Sequence, residues 1–144
     1  GATWMMRGAG VPEGVVTNEL TSAVDIYPTL AHLYGFPVDT KIDGSLPAIF
    51  GGTARTAVYS TSQYPGQTFK LAVRTHEHVL RVETQGFTEE DGTADFAGAT
   101  VGIYPQGHEL DPAYALDNAE LHAFFYPRAR EFLQGIANNG EVFA

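Results

Sequence analysis

The hydrophobic pattern between Thr17 and Pro37 predicts one helix with a defined start and end. Its apolar residues recur three or four positions apart, as on one face of a helix: Val24, Ile26, Tyr27, Leu30, Ala31, Leu33 and Tyr34. Ser22 and Asp25 have the spacing of a capping box, and Gly35 is typical of a helix end. Pro28 leaves two alternatives: a kinked helix, or a helix that begins near Asp25 and has Pro28 in its first turn.

Strand-forming residues dominate the middle of the chain. Four segments are rich in β-branched and aromatic residues: 57–61, 69–74, 79–84 and 101–104. Residues 64–67 and 75–78 are predicted turns, and residues 87–98 form an acidic loop. Pro105 is expected to end the last, edge strand, because proline cannot donate a hydrogen bond to a neighbouring strand.

From Asp117 onward the pattern is helical again. The apolar stripe consists of Leu121, Phe124, Phe125, Ala129, Phe132, Leu133 and Ile136. Asp117 and Glu120 have capping-box spacing, and residues 138–140 are expected to stop the helix. Pro127 predicts either a kink or the start of a second helix, and Arg128 is expected to be solvated. The helix is predicted to cover one face of an antiparallel sheet of three or four strands.

The N-terminal part predicts a different fold class. Thr3 to Met6 is continuously apolar and predicts a strand buried inside a larger mixed α/β sheet. The glycines from Gly8 to Gly14 predict a structural turn, since they lack the spacing of a phosphate-binding loop. A change of composition at 51–54 predicts two domains, 1–54 and 55–144. The expected fold class is therefore α/β in the first part and α+β in the second.

Composition excludes some functions. The chain has 144 residues, is 44% hydrophobic and carries a formal charge of −9, which argues against nucleic acid or an anionic membrane as a partner. It has no cysteine, and no apolar run approaches the length of a membrane span. We expect a soluble chain, of bacterial cytoplasmic or periplasmic type. Gly1 is interpreted as an artificial or proteolytic start, because neither Met nor a signal peptide stands there.

Candidate chemistry is sparse. His76 and His78 flank Glu77 at a predicted hairpin tip, but two imidazoles do not complete a metal site, and a solvated tip is favoured. The acidic residues around Gly92 lack the ligand spacing of an EF-hand, so a solvated loop is favoured there. The serines lack a nucleophile motif. The sequence therefore predicts neither catalytic residues nor metal ligands.

Four segments, in this order, resemble the sulfatase family of the alkaline-phosphatase superfamily: Arg7-Gly8-Ala9-Gly10-Val11-Pro12, Thr21-Ser22-Ala23-Val24-Asp25-Ile26-Tyr27-Pro28-Thr29-Leu30, Gly35-Phe36-Pro37 and Asp43-Gly44-Ser45-Leu46-Pro47. In that family they follow the catalytic segments. The resemblance implies the C-terminal portion of a sulfuric ester hydrolase. Residues 1–54 would end its large α/β domain, and residues 55–144 would form its small C-terminal subdomain.

The resemblance also implies what the parent protein contains. Its nucleophile would be a formylglycine made from the Cys or Ser of a C-x-P-x-R-type motif, and its metal would be calcium. No cofactor is expected in this chain, which alone should be inactive. Its partner would be the missing N-terminal catalytic part or another chain, and the parent's substrate would be a sulfate ester. His76, His78 and Tyr64 are candidate contacts at the rim of the substrate pocket.

Two alternatives remain open. One is a phosphodiesterase or phosphonate hydrolase of the same superfamily. The other is a non-enzymatic binding module formed by residues 55–144. Its candidate stacking rings are Tyr59, Tyr64, Phe69 and Tyr104. A binding module should present at least two of these rings on an open sheet face, whereas a sulfatase subdomain should bury them.

A fragment should also leave apolar side chains uncovered. The six that we expect to remain so are Met5, Met6, Ile26, Leu30, Leu33 and Phe50. A large uncovered apolar patch is unusual for a soluble monomer and marks a missing partner.

Overall fold

A computed structural model describes residues 3–39, 41–62, 69–84 and 98–140, without the side chains of residues 137–140. The chain divides into two compact units, Gly1–Thr56 and Ala57–Ala144. We call them the N-terminal and the C-terminal unit. Their assignment to two sulfatase domains stays a prediction.

The N-terminal unit is built around a short helix. A single 3-10 turn, Ala23–Asp25, leads directly into α1, Ile26–Tyr34. Pro28 is the third residue of α1, so the second alternative is correct: the amide that proline lacks would have no partner inside the first turn. Gly35 ends the helix in the left-handed conformation, with φ of 70°.

The other predictions for the N-terminal unit have mixed outcomes. Thr3 to Met6 forms no paired strand with any residue that the structure describes. A strand needs a hydrogen-bonded neighbour, and the sheet predicted to supply one is not among these residues. The glycine-rich segment is a turn, as predicted, in which the Val11 amide donates to the Gly8 carbonyl at 3.2 Å. A second 3-10 turn, Ala48–Phe50, follows.

The C-terminal unit contains an antiparallel sheet of four strands, which confirms the predicted fold class. The strands are β1 (Val58–Ser62), β2 (Phe69–Arg74), β3 (His78–Thr84) and β4 (Thr100–Pro105). Their order in the sheet is the order along the chain. Beyond β4, the Leu116 amide donates to the Ile103 carbonyl at 2.8 Å and forms an isolated bridge. The predicted turn at 64–67, and the acidic loop except Gly98, lie outside the described residues.

Helix α2 spans Ala119–Gly140 and contains Pro127 without interruption, so of the two alternatives the second helix is wrong. The predicted capping residue is also wrong. Asn118, not Asp117, caps the helix, since its Oδ1 accepts from the amides of Glu120 at 2.9 Å and Leu121 at 3.2 Å.

Arg128 differs from its prediction as well. Its guanidinium lies 3.8 Å from the centroid of the Phe124 ring, and its Nη1 donates to the Phe124 carbonyl at 2.8 Å. The side chain is therefore half-buried along the helix rather than solvated.

The hydrophobic core lies between α2 and one face of the sheet, which we call the inner face. The buried cluster contains Ala57, Phe69, Leu71, Val73, Leu80, Val82, Ile103, Phe125, Ala129 and Leu133. The predicted α2 stripe is confirmed, because all of its residues are in or against this cluster. Side chains alternate between the faces of a sheet. The polar residues between the core positions therefore lie on the opposite, outer face.

Candidate functional site

Asp25 is the best-connected polar residue of the N-terminal unit. It is only 1% exposed, and its carboxylate accepts four hydrogen bonds. Oδ2 accepts from the Ser22 amide at 2.8 Å and from Arg55 Nε at 3.1 Å, while Oδ1 accepts from the Ser45 amide at 2.8 Å and from Arg55 Nη2 at 2.5 Å. Both oxygens are thus occupied by N–H donors. The arrangement holds chain segments together and leaves no oxygen free for a metal ion or a substrate.

The electrostatics of this cluster keep Asp25 ionised. Burial raises the pKa of Asp25, but hydrogen bonds from Arg55, Ser45 and Ser22, together with the charge of Arg55, outweigh burial and lower the pKa overall. A carboxyl group that stays deprotonated near neutral pH is a poor general acid. Asp25 is therefore a structural anchor.

Two of the segments that resemble sulfatases meet at this anchor. Asp25 belongs to segment 21–30, and Ser45 belongs to segment 43–47. Gly44 allows segment 43–47 to approach the backbone of segment 21–30 closely, because a Cβ at Gly44 would overlap the backbone carbonyl of Val24. From the sequence, Asp25 was predicted only as a helix cap, and Arg55 was not predicted as its partner. No pattern in the sequence connects the two residues, because they lie 30 positions apart and the burial of Asp25 is visible only in the structure.

A second carboxylate organises the neighbouring turn. Glu19 accepts from the Ala48 amide at 2.5 Å and from the Ile49 amide at 3.3 Å, where the 3-10 turn Ala48–Phe50 begins. These amides have no partners within the turn, so the carboxylate satisfies them.

The predicted rim residues are placed only in part. His76 and Glu77 form the exposed tip of a two-residue loop, and the Thr75 amide donates to the His78 carbonyl at 2.9 Å. His78 is half-buried as the first residue of β3, with Nδ1 4.0 Å from Glu77 Oε2. Tyr64 lies outside the described residues. The rim assignment stays a prediction.

Among the residues that the structure describes, no group of three or more His, Asp and Glu side chains is arranged to hold a metal ion. In the same part of the chain, no helix is long and apolar enough to cross a membrane.

The outer face of the sheet carries a groove of about 350 Å³. Its floor is the row of paired residues Ser60, Ala72, Arg81 and Gly102. The adjacent rows place Lys70, Glu83, Arg74 and Tyr104 along its sides. From the sequence, these residues were predicted only as parts of strands. The charges at alternate positions of β2 and β3 were the signal that they share one face.

Glu109 reaches this face from the segment after β4. Its Oε1 lies 2.7 Å from Arg74 Nη1, its Oε2 accepts from the Gly107 amide at 2.8 Å, and its carbonyl accepts from Arg81 Nη1 at 2.6 Å. The hydrogen bond from Arg74 is the main cause of the lowered pKa of Glu109. Glu109 therefore stays ionised beside the groove.

The three candidate stacking rings that are described lie on both sides of the sheet. Phe69 is buried in the core, and Tyr59 stacks on Phe132 of α2 with ring centroids 4.6 Å apart. Tyr104 is on the outer face. Tyr59, Phe69 and Tyr104 therefore do not form a shared ring platform on an open face.

Comparison with curated proteins finds sulfatases that are similar to part of this chain. The chain is 37% identical over 86 residues to arylsulfatase A of Homo sapiens, a match that covers 56% of this chain and 17% of the human protein. It is 42% identical over 41 residues to the putative extracellular sulfatase Sulf-1 homolog of Caenorhabditis elegans, covering 28% of this chain and 6% of the nematode protein. The chain is related to sulfatases over part of its length.

This chain thus spans a small part of these relatives, 17% and 6% of their lengths. No family model matches it, and no solved structure does.

Proposed function

We propose that this chain is the C-terminal portion of a sulfatase-type sulfuric ester hydrolase, whose catalytic segment precedes it. The observation that carries the proposal is the 37% identity to arylsulfatase A over 86 residues. Further support comes from the meeting of segments 21–30 and 43–47 at Asp25, since the structure gives a physical reason for their spacing.

The nucleophile and the metal belong to the preceding polypeptide in this proposal. The chain has no cysteine, and its one Ser-x-Pro, at Ser45, continues with Ile49 where the motif needs arginine. Both oxygens of the buried Asp25 carboxylate accept from N–H groups, which does not fit a calcium ligand. The sequence therefore offers no residue for a formylglycine, and Asp25 does not fit calcium, so we derive no chemical step from either group.

We further propose that the preceding catalytic polypeptide covers α1. The helix buries Pro28, Thr29 and Ala31, which are polar or small. Its larger apolar side chains point to solvent: Ile26, Tyr27, Leu30 and Tyr34 are all exposed. This distribution is the reverse of a helix that packs its apolar stripe on its own core. It fits a helix that lies between two layers of protein.

Other apolar residues of the N-terminal unit support the same partner. Met5 is 86% exposed, and none of the six side chains expected to remain uncovered is buried. The N-terminal unit also has an open pocket with a volume of about 670 Å³. Its lining includes Trp4, Met5, Val11, Val16, Ile49 and Phe50. Surfaces of this kind mark protein contacts.

The test is an aryl sulfate assay on the 144-residue chain and on the longer protein that contains it. We expect turnover only by the longer protein. Turnover by the chain alone would refute the assignment of catalysis to the preceding polypeptide. A longer protein that hydrolyses phosphate diesters or phosphonates, and not sulfate esters, would favour the alternative hydrolase.

Sequencing upstream of the codon for Gly1 supplies a second, independent test. A C-x-P-x-R motif there is the expected result. A threonine or an unmodified serine as nucleophile would contradict the sulfatase proposal and favour the phosphodiesterase alternative.

A further inference from the structure

We propose that the groove on the outer face of the sheet binds an acidic sugar, a pyranose ring that carries a carboxylate, and that Glu109 competes with this ligand for Arg74. The groove belongs entirely to the C-terminal unit. The proposal therefore does not depend on the sulfatase activity of a longer protein.

The shape of the groove follows from small residues in its floor. Ala72 and Gly102 lie on the same row across the sheet, one on each side of Arg81. A Cβ at Gly102 would overlap the ring of Tyr104, so this ring lies across the Gly102 backbone. The missing side chains leave a trough with an aromatic ring at one end. Its volume of about 350 Å³ is in the range of small-molecule sites.

The groove is locally positive in an acidic chain. Its lining contains three cations, Lys70, Arg74 and Arg81, and one carboxylate, Glu83. Lys70 and Glu83 lie 3.4 Å apart, with side chains 50% and 39% exposed, so water partly screens their attraction. The net charge of −9 disfavours a polyanion such as nucleic acid. These charges fit a small ligand with a single negative group.

Glu109 indicates which negative group fits. Its carboxylate already lies 2.7 Å from Arg74 Nη1. Arg81 Nη1 donates to the Glu109 carbonyl at 2.6 Å, and a guanidinium has five N–H donors in all. A ligand carboxylate placed between the two arginines would gain charge-assisted hydrogen bonds of the same kind.

The remaining lining fits a sugar ring. Ser60, Ser62 and Thr100 are exposed at the groove and offer hydroxyl groups for hydrogen bonds. The Tyr104 ring is apolar on its face and polar at its hydroxyl, a combination that suits a ring with one apolar face and polar edges.

The experiment is an NMR titration of the isotope-labelled 144-residue chain with D-glucuronate, D-glucose and acetate at constant ionic strength. We expect D-glucuronate to shift the backbone amides of β2, β3 and β4, and to bind more tightly than either D-glucose or acetate. The absence of such shifts at high millimolar D-glucuronate would overturn the proposal. So would equal binding of acetate, which would mean that the groove only attracts anions.

Two substitutions have opposite expected signs. Arg81→Gln removes a charged donor and should weaken D-glucuronate binding about tenfold or more, because a hydrogen bond to a charged group is lost. Glu109→Gln removes the internal competitor and should strengthen binding several-fold. The solvent-exposed Arg7→Gln is the matched control and should change nothing.

A third substitution, away from the segment after β4, keeps the groove testable if Glu109→Gln disturbs that segment. Lys70→Gln lies on an exposed strand position and should weaken D-glucuronate binding without changing the fold. Weaker binding by a folded Glu109→Gln variant would overturn the competition. If D-glucuronate binding fails while the longer protein still cleaves aryl sulfates, only the groove proposal is wrong.

Discussion

Arg55 forms a two-point ion pair with Asp25, with Nε 3.1 Å from Oδ2 and Nη2 2.5 Å from Oδ1. Arg55 Nη2 also donates to the Asp43 carbonyl at 3.3 Å. The arginine therefore joins the start of α1 to the turn at residues 43–45. The pair lies inside the N-terminal unit, where water does not screen Asp25.

Removing Arg55 should be costly. In Arg55→Met the Asp25 carboxylate stays buried without its cation, and breaking a buried pair costs on the order of 3 kcal/mol. The free energy of unfolding from urea titration measures this loss. Arg7→Met, at an exposed position, is the control and should change stability by about 0.5 kcal/mol or less. Equal effects of the two substitutions would contradict a central role for the ion pair.

Acid should weaken the same anchor. Because the native pKa of Asp25 is lowered, its stabilising contribution is fully present above the ordinary Asp pKa of about 3.9. It is lost as the pH falls through the lowered native pKa. The difference in unfolding free energy between the wild type and Asp25→Asn should therefore shrink below about pH 4. A difference that stays constant between pH 7 and the acid range, roughly pH 3, would contradict this linkage.

Three glycines should respond differently to alanine. Gly44→Ala places a Cβ against the Val24 carbonyl and should destabilise most. Gly35→Ala has free space but a φ of 70°, so it should cost about 1 kcal/mol. Gly135 lies inside α2 with free space around it, and Gly135→Ala should stabilise by up to about 1 kcal/mol. Thermal unfolding of the three variants gives this ranking directly, and any other order would contradict it.

The exposed apolar face of α1 should cause the isolated chain to self-associate. Leu30→Ser combined with Tyr34→Ser should lower its self-association and its binding of a hydrophobic dye. In the longer protein the same pair should reduce the melting temperature, because the contact with the preceding polypeptide is lost. Size-exclusion chromatography with light scattering and thermal unfolding measure the two effects.

A control for this prediction is Leu110→Ser in the C-terminal unit. Leu110 is 83% exposed, so it is as available to solvent as the residues on α1. It should change neither self-association nor the melting temperature. If Leu110→Ser has the larger effect, α1 is not the contact surface.

Local patterns predicted the C-terminal unit well. Strands with period two and a helix stripe with period 3.6 depend on neighbours along the chain, and β2 was predicted with its observed bounds, Phe69–Arg74. The helix cap was missed because Asp117 and Asn118 are both good capping residues. Only the backbone geometry decides between them.

Contacts distant along the chain could not be predicted in this way. Asp25 and Arg55 are 30 positions apart, and no local pattern connects them. The link between Glu109 and Arg74 spans 35 positions and depends on the path of the segment after β4. The strand predicted at Thr3 to Met6 stays a prediction for a related reason, since an apolar segment indicates burial but not which neighbour provides it, and the predicted sheet is not among the described residues.

The bridge from Leu116 to Ile103 limits how the sheet can grow. A bare edge strand offers its amides and carbonyls to any other extended chain and so invites aggregation. At the middle of β4 the Ile103 carbonyl is already occupied by the Leu116 amide, and β4 ends at Pro105, which has no amide to offer. A foreign strand therefore finds no continuous ladder along β4. The segment that leads into α2 thereby protects the protein against edge-to-edge polymerisation on that side.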